Sequence, residues 1–230
     1  MAANSSFDLV ILDYDGTLSD TRLAIARCLD RALTSHGRAS PHECITCAVG
    51  RGLPLRETLL SLLPDLREER GVMEEIVSSY RTFYRDEGEA WIKVFDGARE
   101  ALQRLHASGI ACVVVSNKGF EAVVRSLDRH RMSPFVERVF AERPGLPTKP
   151  DPALLSDHIL QRYPTVSRQR VLLVGDTDVD ITFAKRAGIA SCWAAYGFGD
   201  RECCLALSPT YVIETIGELP AVVGLGDGHG

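Results

Sequence analysis

The sequence predicts an α/β protein: a doubly wound, Rossmann-like parallel sheet with an inserted helical domain. Three apolar runs, at 7–12, 110–115 and 171–174, show no polar alternation, which is typical of strands covered on both faces. Beyond residue 91 strand and helix patterns alternate, as in parallel sheets whose strands are joined by crossover helices. Residues 19–90 show helical spacing only, which predicts that they form an insert after the first strand.

The first helix of the insert is expected to start at a side chain that can cap it. Ser19 or Asp20 can accept a hydrogen bond from the free N–H groups of the first turn. Apolar residues such as Leu29 and Leu33 then recur at helical spacing as far as Ser35. The remaining helices of the insert are predicted to begin near residue 41 and to cover about 55–63 and 68–85.

The rest of the chain continues the alternation of strands and helices. Gly109 is expected to end a helix that begins after Asp96, because glycine readily adopts the left-handed conformation beyond a helix end. The other helices are predicted over 120–130, over 150–161 and up to Gly188, and the other strands over 139–140, 191–195 and 211–213. The predicted domains are a core of residues 1–18 and 91–230 and a helical domain of residues 19–90.

Composition and charge restrict the class of protein. The chain has 230 residues, 45% of them hydrophobic and 25% charged, as in soluble globular proteins. Its net charge of −5 argues against a nucleic-acid partner. No run of 18 apolar residues predicts a membrane span, and residues 1–6 lack the basic and apolar regions of a signal peptide. We therefore expect a cytoplasmic protein without a membrane partner.

The cysteines predict free thiols. There are seven, an odd number, and only Cys44 and Cys47 form a C-x-x-C pair. Neither a second pair nor a closely spaced histidine pair completes a zinc site. Reduced cysteines are the usual state in the cytosol.

Polar side chains follow each of the three strongest strands. They are Asp13 and Asp15, then Ser116 and Asn117, then Asp176 and Asp180, and Lys149 stands before a helix that starts with proline. Because parallel strands end at one edge of a sheet, these groups can converge. Carboxylate oxygens are ligands that Mg²⁺ prefers, and a hydroxyl and an ammonium group can donate to phosphate oxygens. The pattern predicts a site for a phosphoryl group held with a hard cation. Taken singly, Lys149 has the alternative of a solvated lysine, and Ser116 that of a turn residue.

These segments resemble, in the expected order, the four motifs of the haloacid dehalogenase-like hydrolase superfamily. The matching residues are Asp13-Tyr14-Asp15-Gly16-Thr17 for DxDGT, Ser116 for the second motif, Lys149 for the third, and Gly175-Asp176-x-x-x-Asp180 for GDxxxD. The helical insert resembles the small cap of this family. Residues 187–199 resemble the phosphoglycolate phosphatase branch, in which a Gly-aromatic turn follows the fifth strand.

The resemblance implies a role for each matching residue. Asp13 would attack phosphorus and form an aspartyl phosphate, and Asp15 would be the general acid and base. Mg²⁺ would be held by Asp13, the backbone carbonyl of Asp15 and Asp176, with Asp180 as a ligand or an outer partner. The phosphate would be bound by Ser116, Asn117 and Lys149. The expected partner is a small phosphorylated metabolite, and the expected assembly is a monomer or a weak homodimer.

Several other activities remain to be compared with hydrolysis. Asp15 argues against a dehalogenase, and the absence of lysine from residues 19–90 argues against a phosphonate-cleaving relative, which uses a cap lysine. A β-phosphoglucomutase-like enzyme would share all four motifs, and a non-catalytic binding module would share the fold. A receiver domain would also cluster Asp, Ser or Thr and Lys. It would carry its phosphorylated Asp after an internal strand and would lack the insert.

The predicted cap suggests one residue for substrate specificity. Arg51 is flanked by glycines in the loop 49–54, and its guanidinium could bind a substrate carboxylate or second phosphate in bidentate fashion. A surface arginine in a turn is an equal alternative. Phosphoglycolate is the first substrate to expect, followed by pyrophosphate, nucleotide monophosphates and sugar phosphates.

Overall fold

The computed structural model of the protein describes residues 6–226, so the predictions for residues 1–5 and for the end of the glycine-rich tail, 227–230, lie outside the described residues. The strands are β1 Leu9–Leu12, β2 Ser19–Asp20, β3 Lys93–Val94, β4 Ala111–Gly119, β5 Arg138–Glu142, β6 Val171–Gly175, β7 Ala190–Ala194 and β8 Tyr211–Ile213. The α-helices are α1 Arg22–Ser35, α2 His42–Val49, α3 Leu55–Leu62, α4 Arg70–Asp86, α5 Ala98–Ala107, α6 Phe120–Arg129, α7 Asp178–Ala187, α8 Arg201–Ala206 and α9 Leu219–Val222.

The six-stranded sheet has the order β5-β4-β1-β6-β7-β8, and all its strand pairs are parallel. This is the doubly wound order, so the predicted fold class is confirmed. In the centre, Leu9 of β1 lies opposite Ala111 of β4 on one side and Val171 of β6 on the other. The order of the strands along the chain reverses at β1, and ligands of such sheets bind at the carboxyl ends of the strands at this point.

The absence of polar alternation in β1 is explained by two apolar layers. Val10 and Leu12 pack in a cluster with helices α5 and α6 on one face of the sheet. Leu9 and Ile11 pack in a second cluster with α7 on the other face. All four side chains are buried, because helices cover both faces of the sheet.

Helices α1 to α4 form the inserted domain and have a hydrophobic core of their own. Leu29 of α1, Ile45 of α2, Leu59 of α3 and Ile76 of α4 are fully buried in one cluster. The pattern of the long helix α4 is amphipathic, so one face enters this cluster while arginines and glutamates lie on the other. The helical insert is thus confirmed, and the boundary at residues 19 and 90 stays a prediction.

The chain enters and leaves the insert through two adjacent short strands. β2 and β3 pair antiparallel, with Ser19 opposite Val94 and Asp20 opposite Lys93. The expectation of no strand within 19–90 is therefore wrong at its first two residues. Two residues are too few to show a strand period, and the pairing depends on a partner more than seventy positions away.

A second difference concerns the segment predicted as a helix over 150–161. It contains a π-helical stretch, Leu154–Ile159, followed by a 3₁₀ turn, Leu160–Arg162. Pro150 and Pro152 are compatible with a helix start, because N–H groups of a first turn have no partner within the helix, and no residue pattern in the segment signals the wider π-helical bonding that follows.

Two further expectations can be compared with residues 6–226. In this range no helix has both the length and the apolar character that crossing a membrane requires. All seven cysteines are free, and Cys44 and Cys47 are exposed.

Candidate active site

The site begins where β1 ends. The backbone N–H of Asp13 donates to the carbonyl of Val174 at 2.9 Å and so extends the contact between β1 and β6. Gly16 then turns the chain with a φ of 84°, which an L side chain rarely adopts. A Cβ on Gly16 would lie 2.1 Å from Oδ2 of Asp176. Glycine at this position therefore allows the first loop to lie directly against the loop after β6.

Asp176 is completely buried, and each of its carboxylate oxygens accepts a hydrogen bond. Thr17 Oγ1 donates to Oδ1 at 3.0 Å, and the backbone N–H of Phe198 donates to Oδ2 at 2.7 Å. Burial, together with the neighbouring Asp180 and Asp13, raises the pKa of Asp176 well above its usual range. The carboxylate is fixed in orientation, but its charge is poorly compensated.

Lys149 lies between two of the carboxylates. Its Nζ donates to Asp180 Oδ1 at 2.6 Å and lies 2.7 Å from Asp13 Oδ1. Burial lowers the pKa of Lys149, but Asp13 and Asp180 together raise it by a larger amount. The net shift is upward, so the ammonium stays charged. Asp180 Oδ2 accepts the N–H of Thr177 at 3.0 Å and its hydroxyl at 2.7 Å, in a capping box at the start of α7. Asp180 is thereby held in place to orient Lys149.

Asp13 differs from these two acids because its Oδ1 is buried and has no aligned hydrogen-bond donor among the described residues. The nearby ammonium of Lys149 forms an ion pair with this oxygen at 2.7 Å without that alignment. Burial raises the pKa of Asp13 to about 7, and the charge of Lys149 only partly opposes this rise. The negative charge of Asp13 is therefore only partly stabilised by the groups around it.

The three acids could hold a metal ion. Asp13, Asp176 and Asp180 each offer a carboxylate oxygen, and these oxygens lie within 4.8 Å of one another. Three carboxylates face the single ammonium of Lys149, so a divalent cation would remove the excess negative charge. The donor set consists of oxygen atoms and fits a hard cation such as Mg²⁺. Because the oxygens of Asp180 already accept three hydrogen bonds, Asp13 and Asp176 are better suited to direct contact.

Asp15 lies beside this cluster and is held from two sides. Its Oδ1 accepts Thr21 Oγ1 at 2.6 Å and Lys118 Nζ at 2.8 Å. The ammonium of Lys118 also lies 4.1 Å from the ring centroid of Tyr84, on α4 of the insert. Burial lowers the pKa of Lys118, but Asp15, Tyr80 and Tyr14 together raise it by more, so the net shift is upward. Sequence reasoning missed Lys118, although it directly follows Ser116 and Asn117, because a lysine after a strand is usually solvated.

Ser116 and Asn117 differ in their contacts. Ser116 is buried at the end of the apolar part of β4 and lines the cavity described below. Asn117 Nδ2 donates to the carbonyls of Gly52 at 2.9 Å and Lys149 at 3.0 Å, and its Oδ1 accepts the N–H of Lys149 at 2.9 Å. These contacts hold Lys149 and join the insert to the core. A phosphate contact by Asn117 stays a prediction, but its polar atoms are already engaged.

A cavity of about 1040 Å³ lies between the insert and the core. Its lining includes the predicted residues Asp13, Asp15, Ser116, Asn117 and Lys149. The structure therefore brings these residues together around one cavity.

The structure does not bring Arg51 into that group. Its side chain is exposed, and among the described residues Gly52 and Leu53 line the cavity in its place. Gly52 lies so close to the core that a Cβ on it would be 2.8 Å from Thr177 Oγ1. The specificity role of Arg51 stays a prediction without support from its position. The arginines that do line the cavity are Arg56, Arg81, Arg85, Arg125 and Arg143.

Comparison with known proteins agrees with the motifs. The family described as haloacid dehalogenase-like hydrolase matches residues 10–194. A phosphoglycolate phosphatase of Pseudomonas fluorescens is 29% identical over 211 residues, which cover 90% of this chain and 76% of the relative. One of Vibrio parahaemolyticus is 28% identical over 224 residues, covering 94% and 96%. A haloacid dehalogenase-like family hydrolase from Streptococcus pneumoniae has a similar fold, with a TM-score of 0.81 at 23% identity over 94% of this chain and 98% of that chain.

The first prediction concerns the cation. Mg²⁺ at a hundred times its Kd should stabilise the protein by about 2.7 kcal/mol, seen as a rise in Tm. Asp176→Asn should lose most of this rise. Without Mg²⁺ its Tm should be equal to or above that of the wild type, because one buried charge is removed. Asn can keep the bond from Phe198 with its carbonyl oxygen.

The control is Asp178→Asn, which removes an exposed acid two residues away. It should keep the full response to Mg²⁺. The same rise in Tm for Asp176→Asn and the wild type would show that the cation is not bound here.

The second prediction concerns the loop that holds Asp176. In Gly197→Ala the new Cβ would lie 2.2 Å from the Cβ of Asp176 and 2.5 Å from the carbonyl oxygen of Gly16. We expect a loss of about 1–3 kcal/mol in the free energy of unfolding and a weaker response of Tm to Mg²⁺, because the loop must move. Urea unfolding with and without Mg²⁺ measures both. Gly71→Ala in α4, where nothing lies within 4 Å of the new Cβ, should not lower the free energy of unfolding, because alanine favours a helix over glycine by up to about 1 kcal/mol. It should leave the response to Mg²⁺ unchanged, and an equal loss in the two variants would contradict the packing argument.

Proposed function

We propose that the chain, which belongs to the haloacid dehalogenase-like hydrolase family and is a phosphatase, hydrolyses phosphomonoesters of small metabolites. In this proposal the reaction depends on Mg²⁺ and proceeds through a phosphorylated Asp13. The observation that carries this proposal is the environment of Asp13. Its buried Oδ1 forms an ion pair with the ammonium of Lys149 at 2.7 Å, and no hydrogen bond from residues 6–226 reaches its Oδ2. A carboxylate that is held through one oxygen and free at the other is suited to attack on phosphorus.

The first half of the reaction transfers the phosphoryl group to the protein. Asp13 attacks phosphorus in line with the leaving alcohol, the P–O bond to the alcohol breaks, and an acyl phosphate forms. Ser116 and Lys149 line the same cavity and can donate to the phosphoryl oxygens. Mg²⁺, when bound, would reduce the repulsion between Asp13 and the incoming phosphate dianion.

Asp15 is suited to the proton transfers. Thr21 and Lys118 both donate to Oδ1, and no hydrogen bond from the described part of the chain reaches Oδ2. Oδ2 can therefore carry the proton that the leaving alcohol needs. After the alcohol leaves, the same carboxylate can take a proton from the water that attacks the acyl phosphate, which returns Asp13 and releases inorganic phosphate.

Phosphoglycolate is the first substrate to test, because curated relatives at 28–29% identity bear the name phosphoglycolate phosphatase. With Mg²⁺, purified protein should release inorganic phosphate from phosphoglycolate and from p-nitrophenyl phosphate, and EDTA should stop the release. Isomerisation of a sugar phosphate without release would instead favour the mutase. A protein that turns over no phosphoester would be a binding module.

The third prediction concerns the nucleophile. In rapid-quench labelling with a ³²P-labelled substrate, the wild type should carry an acid-stable, hydroxylamine-sensitive acyl phosphate. Asp13→Asn should carry none, because the amide cannot form it. Asp178→Asn, which changes an exposed acid, should be labelled like the wild type. Labelling of Asp13→Asn at wild-type levels would assign the nucleophile to another residue.

The fourth prediction concerns the support of Asp15 by Lys118 and Tyr84. Tyr84→Leu removes the ring beneath the ammonium, and the loss of a buried cation–π contact should cost about 2 kcal/mol. If Lys118 positions the general acid, kcat/KM should fall by roughly thirtyfold for an alkyl phosphate, whose alcohol needs a proton to leave. It should fall little for p-nitrophenyl phosphate, whose leaving group needs none.

Tyr84→Phe is the matched control. The buried hydroxyl of Tyr84 has no hydrogen-bond partner among residues 6–226, so its removal keeps the ring and its contact with Lys118. This variant should behave like the wild type with both substrates. An equal loss on both substrates in Tyr84→Leu would indicate a general structural defect and would remove the positioning role.

A further inference from the structure

The cavity is large for the substrate that the relatives' names suggest. Pockets of roughly 300–1,000 Å³ hold ligands of drug size, and this one has about 1040 Å³. A two-carbon phosphoester such as phosphoglycolate would leave most of it to water. The walls away from Asp13 include apolar and aromatic side chains, among them Ile25, Leu55, Tyr80 and Phe120. Such walls favour a substrate whose leaving group has a longer apolar part.

The charges in the wall are not balanced. Five arginines line the cavity outside the group around Asp13, against two glutamates. Arg56 pairs with Glu74 at 2.6 Å, and Arg81 pairs with Glu142 at 3.1 Å. Arg85 pairs with the adjacent Asp86. These pairs account for the arginines that the insert contributes.

Arg125 and Arg143, the two arginines that the core contributes, have no carboxylate within 4 Å among the described residues. Arg125 also has a buried Nε without a hydrogen-bond acceptor. An unpaired buried donor of this kind is costly, and a bound anion would satisfy it. Arg143 packs over the ring of Phe120 at 5.0 Å, which orders the guanidinium while its N–H edges stay available.

Both arginines lie next to the predicted phosphate-binding segment. Gly119 at the end of β4 is in register with Glu142, so Arg143 stands beside the start of α6. Arg125 lies five residues beyond Phe120 in α6, or about 7.5 Å further along the helix axis. An anion bound at Arg125 would therefore lie further from Ser116 than a group bound at the start of α6 would.

We propose that the substrate carries a second anionic group on an alcohol part longer than glycolate, and that Arg125 and Arg143 bind this group. The inference rests on the proposed function and names the substrate class for the same cavity. The phosphoryl group lies at Asp13 and Lys149, the apolar part of the leaving group runs along Phe120, and its terminal carboxylate or phosphate meets the two guanidinium groups. Arginine suits such groups because its planar fork makes paired, charge-assisted hydrogen bonds.

The test uses the full chain with Mg²⁺ and a series of ω-phosphooxy carboxylates from two to six carbons, each beside its neutral terminal carboxamide. In the wild type, kcat/KM should rise with chain length beyond phosphoglycolate. At the best length the carboxylate should exceed the carboxamide by at least tenfold. The double variant Arg125→Gln/Arg143→Gln should lower that ratio to about one and leave the rate with the carboxamide within twofold.

Arg162→Gln/Arg186→Gln, which removes two exposed arginines elsewhere on the core, is the charge-matched control and should keep the wild-type ratio. The inference is overturned if phosphoglycolate is the best of the series, or if the double variant keeps more than half of the preference for the carboxylate. Release of phosphate in either case would leave the proposed function standing. No release from any ester, charged or neutral, would overturn the proposed function and this inference with it.

Discussion

The structure depends on burying three carboxylates beside a single ammonium group. Asp13, Asp176 and Asp180 would repel one another in a medium of low dielectric constant, and Lys149 compensates only part of their charge. The arrangement persists because three of the six carboxylate oxygens are held by fixed donors, from Thr17, Thr177 and the N–H of Phe198. The excess negative charge that remains is what a bound divalent cation would neutralise.

The sheet order explains how these acids meet. β1 lies between β4 and β6, so the loops after the three strands share one edge, while the helices that cover the sheet keep water from its faces. Close approach of the loops then requires glycine. A Cβ at Gly16 or Gly197 would overlap Asp176. The carboxylate thus lies between two backbone segments that are distant in sequence, and its rigidity follows from packing as much as from hydrogen bonding.

Most of the core and its site could be predicted, because both depend on local signals. A strand buried on both faces has no polar residues, and the acids of the site follow such strands directly, as Asp13 and Asp176 do. What could not be predicted depends on the packing of the insert against the core. Gly52 lies against Thr177 while its neighbour Arg51 is exposed, and Lys118, which pairs with Asp15, packs against the ring of Tyr84. No spacing in the sequence encodes these contacts.

The division of the charges between core and insert bears on how substrate choice can change. The insert contributes no acid to the buried cluster and reaches the site through the hydroxyl of Thr21, the carbonyl of Gly52 and the ring of Tyr84. These groups carry no net charge, so changes elsewhere in the insert can reshape the cavity without altering the balance around Asp13. The buried acids depend on an electrostatic arrangement with Lys149, whereas the cavity wall depends on shape and on arginines such as Arg81 and Arg125. Because the two depend on different side chains, the cavity wall can change while the charges around Asp13 stay the same.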